Sequence, residues 1–415
     1  MRPYLLFLFC FLFSGFIPDA PIRVFLIGDS TMADKPLIDN PEHGWGQMLP
    51  IFFSKNVVFL NHAKNGRSTR SFLNEGRWEA VRTMLRPGDY VFIQFGHNDS
   101  KKEDTSRFAD PHTDYKNNLL RFVREAREKN AIPVLLTPVN RRNYDKNGKF
   151  VDKHGDYPGV VREIAANEHV PLLDLHKKSK TLFEKLGPEE SKKLFLTSVK
   201  QNVYRALPNG KDDNTHFTRV GAVQIAQLAV ECISEIKLPL AKEIIQVTVP
   251  NLAGTGEIVG LDLFYNNEWR KQKDTLMGRY HYTWDDTTNS GFSEFAKIFD
   301  RAGVDTDTLS SAPTDSTLQR FSTYIIVDPD TPKETAQPNY LQIQEIDVIE
   351  RWVKNGGVLV LLGNDKGNCE FQHFNMLANR FGINFNEDLH MDVVNIILLH
   401  SHIQPLIIVV YYGYN

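Results

Sequence analysis

At 415 residues and 47.5 kDa the chain is longer than one hydrophobic core of roughly 250–300 residues serves, so two or three domains are expected. Hydrophobic residues at 41%, charged residues at 24% and a mean hydropathy of −0.34 exclude collagen-like, disordered and multi-span membrane classes. The net charge of −3 conceals an asymmetry: residues 21–240 carry 34 Lys+Arg against 27 Asp+Glu (+7), and residues 241–415 carry 13 against 23 (−10), the pattern of two domains with different partners.

In chain order, Arg2 is followed by the apolar run YLLFLFCFLF at 4–13, the length of a secretory signal core and too short for a membrane span of ~20 residues. Export is expected, to the outside or the periplasm, with residues 1–20 as leader, processing between Ser14 and Ala20, and no stable membrane anchor. The three cysteines, Cys10, Cys232 and Cys369, form no CxxC pair and have no His-rich companion spacing, which excludes a disulfide scaffold and gives no zinc signature.

Short continuous apolar runs at Arg23–Ile27, Tyr90–Phe95, Pro133–Thr137 and Val170–Leu175 predict strands buried on both faces. Amphipathic stretches at Tyr115–Asn130 and Ala222–Ile236 have helical period, and the alternation predicts a parallel α/β sheet covered by helices. Four segments fall at or near the ends of these elements. The first strand runs into GDST at 28–31, which presents the Ser30 hydroxyl where open α/β sheets place their sites, although Ser30 alone also fits a helix N-cap. Residues 61–72 (NHAKNGRSTRSF) offer Gly66 for close backbone approach, and FGHND at 95–99 ends another strand with the amide of Asn98. In acyl transfer an oxyanion needs preorganised donors of this kind, backbone N–H and Asn side chain. In residues 213–222 (DNTHFTRVGA), Asp213 stands three residues before His216, a spacing that on a tight turn lets it bond Nδ1 and leave Nε2 free for a hydroxyl proton.

These blocks resemble the Ser, Gly, Asn and His blocks of the SGNH or GDSL hydrolase superfamily, and more narrowly the rhamnogalacturonan acetylesterase family, over about residues 22–237; GWGQ at 44–47 is similar to that family too. The resemblance implies a flavodoxin-like α/β/α domain at 21–240 without metal or organic cofactor. It also implies Ser30 as nucleophile, His216 as base and acid, Asp213 as its orienting partner, and an oxyanion hole of the Ser30 N–H, the Gly66 N–H and the Asn98 side chain. The expected function is a secreted serine esterase removing acetyl groups from pectic polysaccharide. The +7 charge suits an acetylated anionic polysaccharide, with Arg67 or Arg70 pairing a substrate carboxylate. Two alternatives stay open: an esterase or lipase acting on small acyl esters, and a non-catalytic carbohydrate-binding protein with a relict site. Nucleic acid is not an expected partner, since no aromatic RNA-type motif interleaves the basic residues. Asn98-Asp-Ser100 is the only Asn-x-Ser/Thr sequon, and a glycan there would block the site, so a bacterial host is expected.

Pro and Gly between 238 and 260 predict a boundary, with a linker at 241–260; GTGEIVG within it lacks the spacing and βαβ context of a dinucleotide loop. Strand Thr323–Val327, helix Gln342–Asn355 and strand Gly356–Leu362 predict one βαβ unit. Residues 261–388 resemble the α/β domain appended to bacterial unsaturated rhamnogalacturonyl hydrolases, on FYNNEW, HYTWDDTTNSGFS, IIVDPDT and GGVLVLLGND, and more widely a glutamine amidotransferase-like fold. Cys369 has no evident His/Glu partner and is expected to be a structural thiol. His281, Trp284, Asp285 and Asp286 could face a sugar, but Trp284 as a core residue beside solvated acids is the preferred reading. A binding or structural role is therefore expected for 261–390, followed by a tail at 391–415 that the pattern does not place.

Overall fold

A computed structural model describes residues 21–36, 40–197, 199–271, 277–288, 291–364 and 367–386, and the backbone of 407–411. The expected leader and most of the expected tail lie outside the described residues.

The first sheet is parallel, with β1 (Ile22–Gly28), β2 (Val57–Asn61), β3 (Tyr90–Gln94), β4 (Ile132–Leu136) and β5 (Leu172–Leu173) in the order β2-β1-β3-β4-β5. This is the doubly wound order of flavodoxin-like folds, with its switch point between β1 and β3. Side chains of β1 alternate between two cores. Val24 and Leu26 join the cluster holding α1 (Trp45–Met48), α6 (Leu175–Glu190) and α7 (Arg219–Glu235). Phe25 and Ile27 join the cluster of α2 (Thr69–Asn74), α3 (Arg77–Met84), α4 (Lys116–Glu128) and α5 (Tyr157–Asn167). Burial on both faces is why these strands read as unbroken apolar runs. In α4 the buried Leu119, Phe122, Val123 and Ala126 recur at one helical face. Strand β2, an edge strand with a half-exposed pattern, has no counterpart among the predicted runs.

The second domain holds β6 (Ile258–Asp262), a hairpin of β7 (Trp269–Lys271) and β8 (Met277–Arg279), α8 (Ser293–Arg301), β9 (Asp305–Leu309), α9 (Asp315–Leu318), β10 (Thr323–Val327), α10 (Ile343–Lys354), β11 (Val358–Gly363), α11 (Phe371–Ala378) and β12 (Ile407–Tyr411). Its main sheet runs β12-β11-β10-β6-β9, parallel except for β12. The predicted βαβ unit is β10-α10-β11, to which the structure adds β6 and β9. Strand β6 begins inside the predicted linker, because Gly260 breaks its apolar run; β9 (DTDTL) is an edge strand with little apolar content. Arg219 at the start of α7 bonds Asp305 of β9 (2.8 Å) and Asp300, linking the two domains.

Trp284 lies among Phe292, Phe295 and Phe299 and donates Nε1–H to the Asp307 carbonyl (2.9 Å), the packing reading rather than a sugar platform. Cys369 is buried, and burial with acidic neighbours Asp328, Glu370 and Glu334 pushes its thiol up, the opposite of a reactive thiolate.

At the carboxyl end of this sheet Asp262, Asp328 and Asp330 are 0%, 4% and 1% exposed, and burial raises them to about 6, 8 and 6. Each folded value exceeds the ~3.9 of an unfolded carboxyl. The folded state therefore binds more protons, and this stability is fully present below about pH 4 and is lost as pH rises through 6–8. Calorimetry from pH 5 to pH 9 should show the melting temperature of the second domain falling by several degrees or more, about 4 °C per kcal/mol, with Asp328→Asn flattening the trend. A melting temperature that climbs over that range would contradict it.

Candidate active site

Four loops meet at the carboxyl ends of β1 and β3. After β1 the chain turns through Asp29, whose Oδ1 accepts from the Thr31 N–H (2.9 Å) and hydroxyl (2.8 Å) and whose Oδ2 lies 2.9 Å from His97 Nδ1. Burial works to raise this fully buried carboxyl, but His97 and Thr31 outweigh it and bring it down to about 2. Trp45 supports the same turn: its Nε1–H donates to Gln94 Oε1 (2.6 Å), and Gln94 donates to the Thr31 hydroxyl (3.0 Å). The glycines of GWGQ are required by close approach, since a Cβ on Gly44 would lie 2.1 Å from the Ala33 carbonyl. Ser30, 9% exposed, is thereby presented at the tip of a braced turn.

The glycine block is tied to β1 by the Lys64 N–H, which donates to the Gly28 carbonyl (3.0 Å). It reaches Gly66 at φ +76°, a left-handed conformation that side chains disfavour, although space for a Cβ exists. Ser68 then caps α2 through a reciprocal pair with Ser71. Asp99 locks this block to the asparagine block by accepting from the Thr69 N–H (2.9 Å) and hydroxyl (2.6 Å); burial pushes its carboxyl up to about 7. Asn98, 4% exposed, donates one Nδ2–H to the Arg67 carbonyl (3.0 Å), leaving the second amide hydrogen available. The Ser30 and Gly66 amides donate to no protein acceptor among the described residues.

The fourth loop is held by backbone bonds to Leu196 from either side, Asp213 N–H to its carbonyl and its N–H to the His216 carbonyl, both 3.0 Å. His216 Nδ1 lies 2.6 Å from Asp213 Oδ2 and Nε2 lies 2.8 Å from Ser30 Oγ. The other Asp213 oxygen accepts from the Thr215 and His216 N–H groups at 2.7 and 3.1 Å. Burial raises the Asp213 carboxyl, but the His216 and backbone bonds outweigh it and hold it well below the ordinary carboxylate range. An ionised Asp213 fixes the imidazole with Nδ1–H toward it and the Nε2 lone pair toward the Ser30 hydroxyl, the arrangement a proton transfer requires.

Ser30, Gly66, Asn98 and His216 line one cleft of 290 Å³ together with Glu42, Lys101, Arg141 and Lys211. A larger cavity of 630 Å³ is lined by Thr218, Arg219 and Val220 of the fourth block but by none of Ser30, Gly66, Asn98, Asp213 and His216. The structure does not bring Arg67 and Arg70 to the cleft. Arg67 bonds Glu75 and the Asn65 carbonyl and faces a neighbouring cavity, while Arg70 bonds the Phe108 carbonyl and Asp114. Arg67 is thus held by Glu75 and by Asn65 of its own block, and both partners of Arg70 lie outside that block.

The cations that do line the cleft come from three other loops. Lys211 bonds Glu42 (3.0 Å) and lies 3.3 Å from Asp213, and the buried Lys35 bonds the other Glu42 oxygen (2.7 Å), so a charge chain joins the segment that follows the first block to the last block. Arg141 donates to the Thr215 hydroxyl (2.6 Å) and the His97 carbonyl (3.1 Å). Lys101 makes no ion pair among the described residues; burial first, then Arg107 and Arg141, lower its ammonium below the usual value. Isolated lysines in loops carry no spacing signal, and only their convergence marks them.

Residues 26–221 match the GDSL-like Lipase/Acylhydrolase family. The rhamnogalacturonan acetylesterase RhgT of Bacillus subtilis is 44% identical over 225 residues, which cover 54% of this chain and 95% of that protein. The probable rhamnogalacturonan acetylesterase YesY of the same organism is 38% identical, covering 54% of this chain and 98% of the relative. A rhamnogalacturonan acetylesterase of Emericella nidulans is 29% identical, over 51% of this chain and 84% of that protein.

Proposed function

Because the chain belongs to the GDSL-like lipase/acylhydrolase family and is a carboxylic ester hydrolase, we propose that it removes acetyl groups from an acetylated pectic polysaccharide of the rhamnogalacturonan type, through an acyl-enzyme on Ser30. The observation that carries the chemistry is the unbroken relay from Asp213 through His216 to Ser30 at 2.6 and 2.8 Å. His216 Nε2 takes the Ser30 proton as Oγ attacks the acetyl carbonyl, and the oxyanion receives the Ser30 and Gly66 N–H groups and the free Asn98 amide hydrogen. Protonated His216 then gives its proton to the departing sugar hydroxyl. Water, deprotonated by the same nitrogen, attacks the acetyl-serine; the Oγ–C bond breaks to release acetate as His216 returns the proton to Ser30 Oγ.

The substrate reading rests on the names of the relatives, which are 44% and 38% identical, and on the cations of the cleft. Lys101, Arg141 and Lys211 replace Arg67 and Arg70 in the role of facing a galacturonate carboxylate, and Lys101 is the one of the three without a fixed partner. Such a polymer lies outside cells, which accords with export of the chain. The second domain acts in this reading as a binding or structural companion.

Acetyl release from acetylated rhamnogalacturonan, run beside neutral acetylated xylan across ionic strength, tests the assignment. The anionic polymer should be preferred, and the preference should shrink with salt as the charges are screened. Lys101→Gln should lower kcat/KM on the anionic polymer alone by about two- to fivefold, the ~0.5–1 kcal/mol of a partly exposed ion pair. Equal rates on both polymers, indifferent to salt, would sink the pectic reading and leave the esterase.

A further inference from the structure

We propose that Asp152, His154 and His176 form a binding site for one divalent transition-metal ion of the zinc class, behind the Asn98 loop. Asp152 and His154 come from the loop between β4 and α5, and His176 from the first turn of α6. One ligand atom from each lies within 4.8 Å of the others. The two histidines are 3% and 7% exposed, whereas the Asp152 side chain is 38% exposed and opens the cluster to solvent.

The second observation is the state of the imidazoles. Both ring nitrogens of His154 and Nε2 of His176 are buried without a hydrogen-bond partner among the described residues. Asp152 Oδ2 is 2.9 Å from His176 Nε2, and Oδ1 is 3.6 Å from His154 Nδ1, so the carboxylate is close to both rings yet aligned for a hydrogen bond with neither. Buried polar nitrogens are ordinarily satisfied. An ion between the three groups satisfies the inward-facing nitrogens at once.

Two imidazoles and one carboxylate are a zinc-type donor set, with the open fourth position left to water. A tetrahedral centre with bonds of about 2.1 Å needs ligand atoms about 3.4 Å apart. The Asp152 oxygens already stand 2.9 and 3.6 Å from the His176 and His154 nitrogens, so binding an ion asks the longest of the three separations to contract from at most 4.8 Å toward that spacing. Two cations oppose the ion. Arg141 bears on His154, and Arg162 lies 3.3 Å from His176 Nδ1 while making two shorter bonds to Asp174 (2.8 and 3.0 Å). Metal on Nε2 places the remaining proton on Nδ1, so the long Arg162 contact is the one given up. The His154 ring also packs edge-on to His97 (4.9 Å, 88°), the neighbour of Asn98 and partner of Asp29, so a bound ion would brace the wall behind the catalytic cleft.

Tag-free full-length chain, stripped with a chelator and titrated with zinc chloride, should take up one zinc per chain that survives desalting. Cobalt(II) should give the visible d–d bands of a low-symmetry site. His154→Gln and His176→Gln should each weaken zinc by more than about a hundredfold, beyond the roughly 10–100-fold effect of an outer-shell change. If either unfolds, Asp152→Asn at its exposed position replaces it. His216→Ala should keep the full stoichiometry while losing esterase activity, which separates this site from the Ser30 cleft. Wild-type chain that binds no zinc at micromolar concentrations, or ligand variants that bind it as wild type does, would overturn the proposal.

Discussion

Replacing Ser30 with alanine should reduce the rate of ester hydrolysis by about 10⁶-fold, and His216→Ala should do nearly the same, because the two act as one unit. The geometry sets this expectation: Ser30 Oγ has one base, His216 Nε2 at 2.8 Å, and among the described residues no other imidazole lines the cleft except His97, whose two nitrogens face Asp29 and the Val139 carbonyl. The double variant should be no slower than either single one. Asp213→Asn should cost about 10⁴-fold, since an amide no longer fixes the Nδ1–H tautomer. Melting temperature and circular dichroism of each variant establish that the fold is retained. Activity of folded Ser30→Ala within tenfold of wild type would refute the assignment of the nucleophile.

Asn98→Ala should lower kcat by about 10²–10³-fold, or ~3–4 kcal/mol, the worth of one preorganised oxyanion donor. Its effect on KM should be small, because the interaction matures only as negative charge develops. The amide has two hydrogens, and the bond to the Arg67 carbonyl (3.0 Å) uses one while orienting the other. Loss of that bond also costs stability, about 1 kcal/mol, so alanine alone mixes two effects. Asn98→Asp keeps the shape and removes the donor, and should be at least as slow as alanine. A variant series in which KM rises while kcat holds would instead make Asn98 a substrate-binding side chain. The same burial explains why this asparagine does not suit a glycan: at 4% exposure it has no room for one in the folded chain.

Much of the first domain was legible because local pattern and tertiary environment agree there. Strands β1, β3 and β4 are buried on both faces and read as apolar runs, and α4 shows one apolar stripe. The second domain was less legible. Strand β6 has only Ile258, Val259 and Leu261 around Gly260, and β9 is polar because its position at the sheet edge asks little burial of it. Within the site, the blocks containing Ser30, Gly66, Asn98, Asp213 and His216 were legible as candidates from residue type and spacing, and their roles in acyl transfer are what the family resemblance implies. Arg67 and Arg70 could not be judged that way, because what decides their role is Glu75, the Phe108 carbonyl and Asp114.

By itself, then, the sequence determined the kind of scaffold and singled out candidate groups for acyl transfer, since turn chemistry, apolar period and the Asp-to-His spacing are properties of neighbouring residues. Only the tertiary structure decided which charges face the cleft and which are consumed elsewhere. Lys101, Arg141 and Lys211 converge from separate loops, as do Asp152, His154 and His176, and the energy of such groups depends on distance and burial, which contact between remote segments alone establishes.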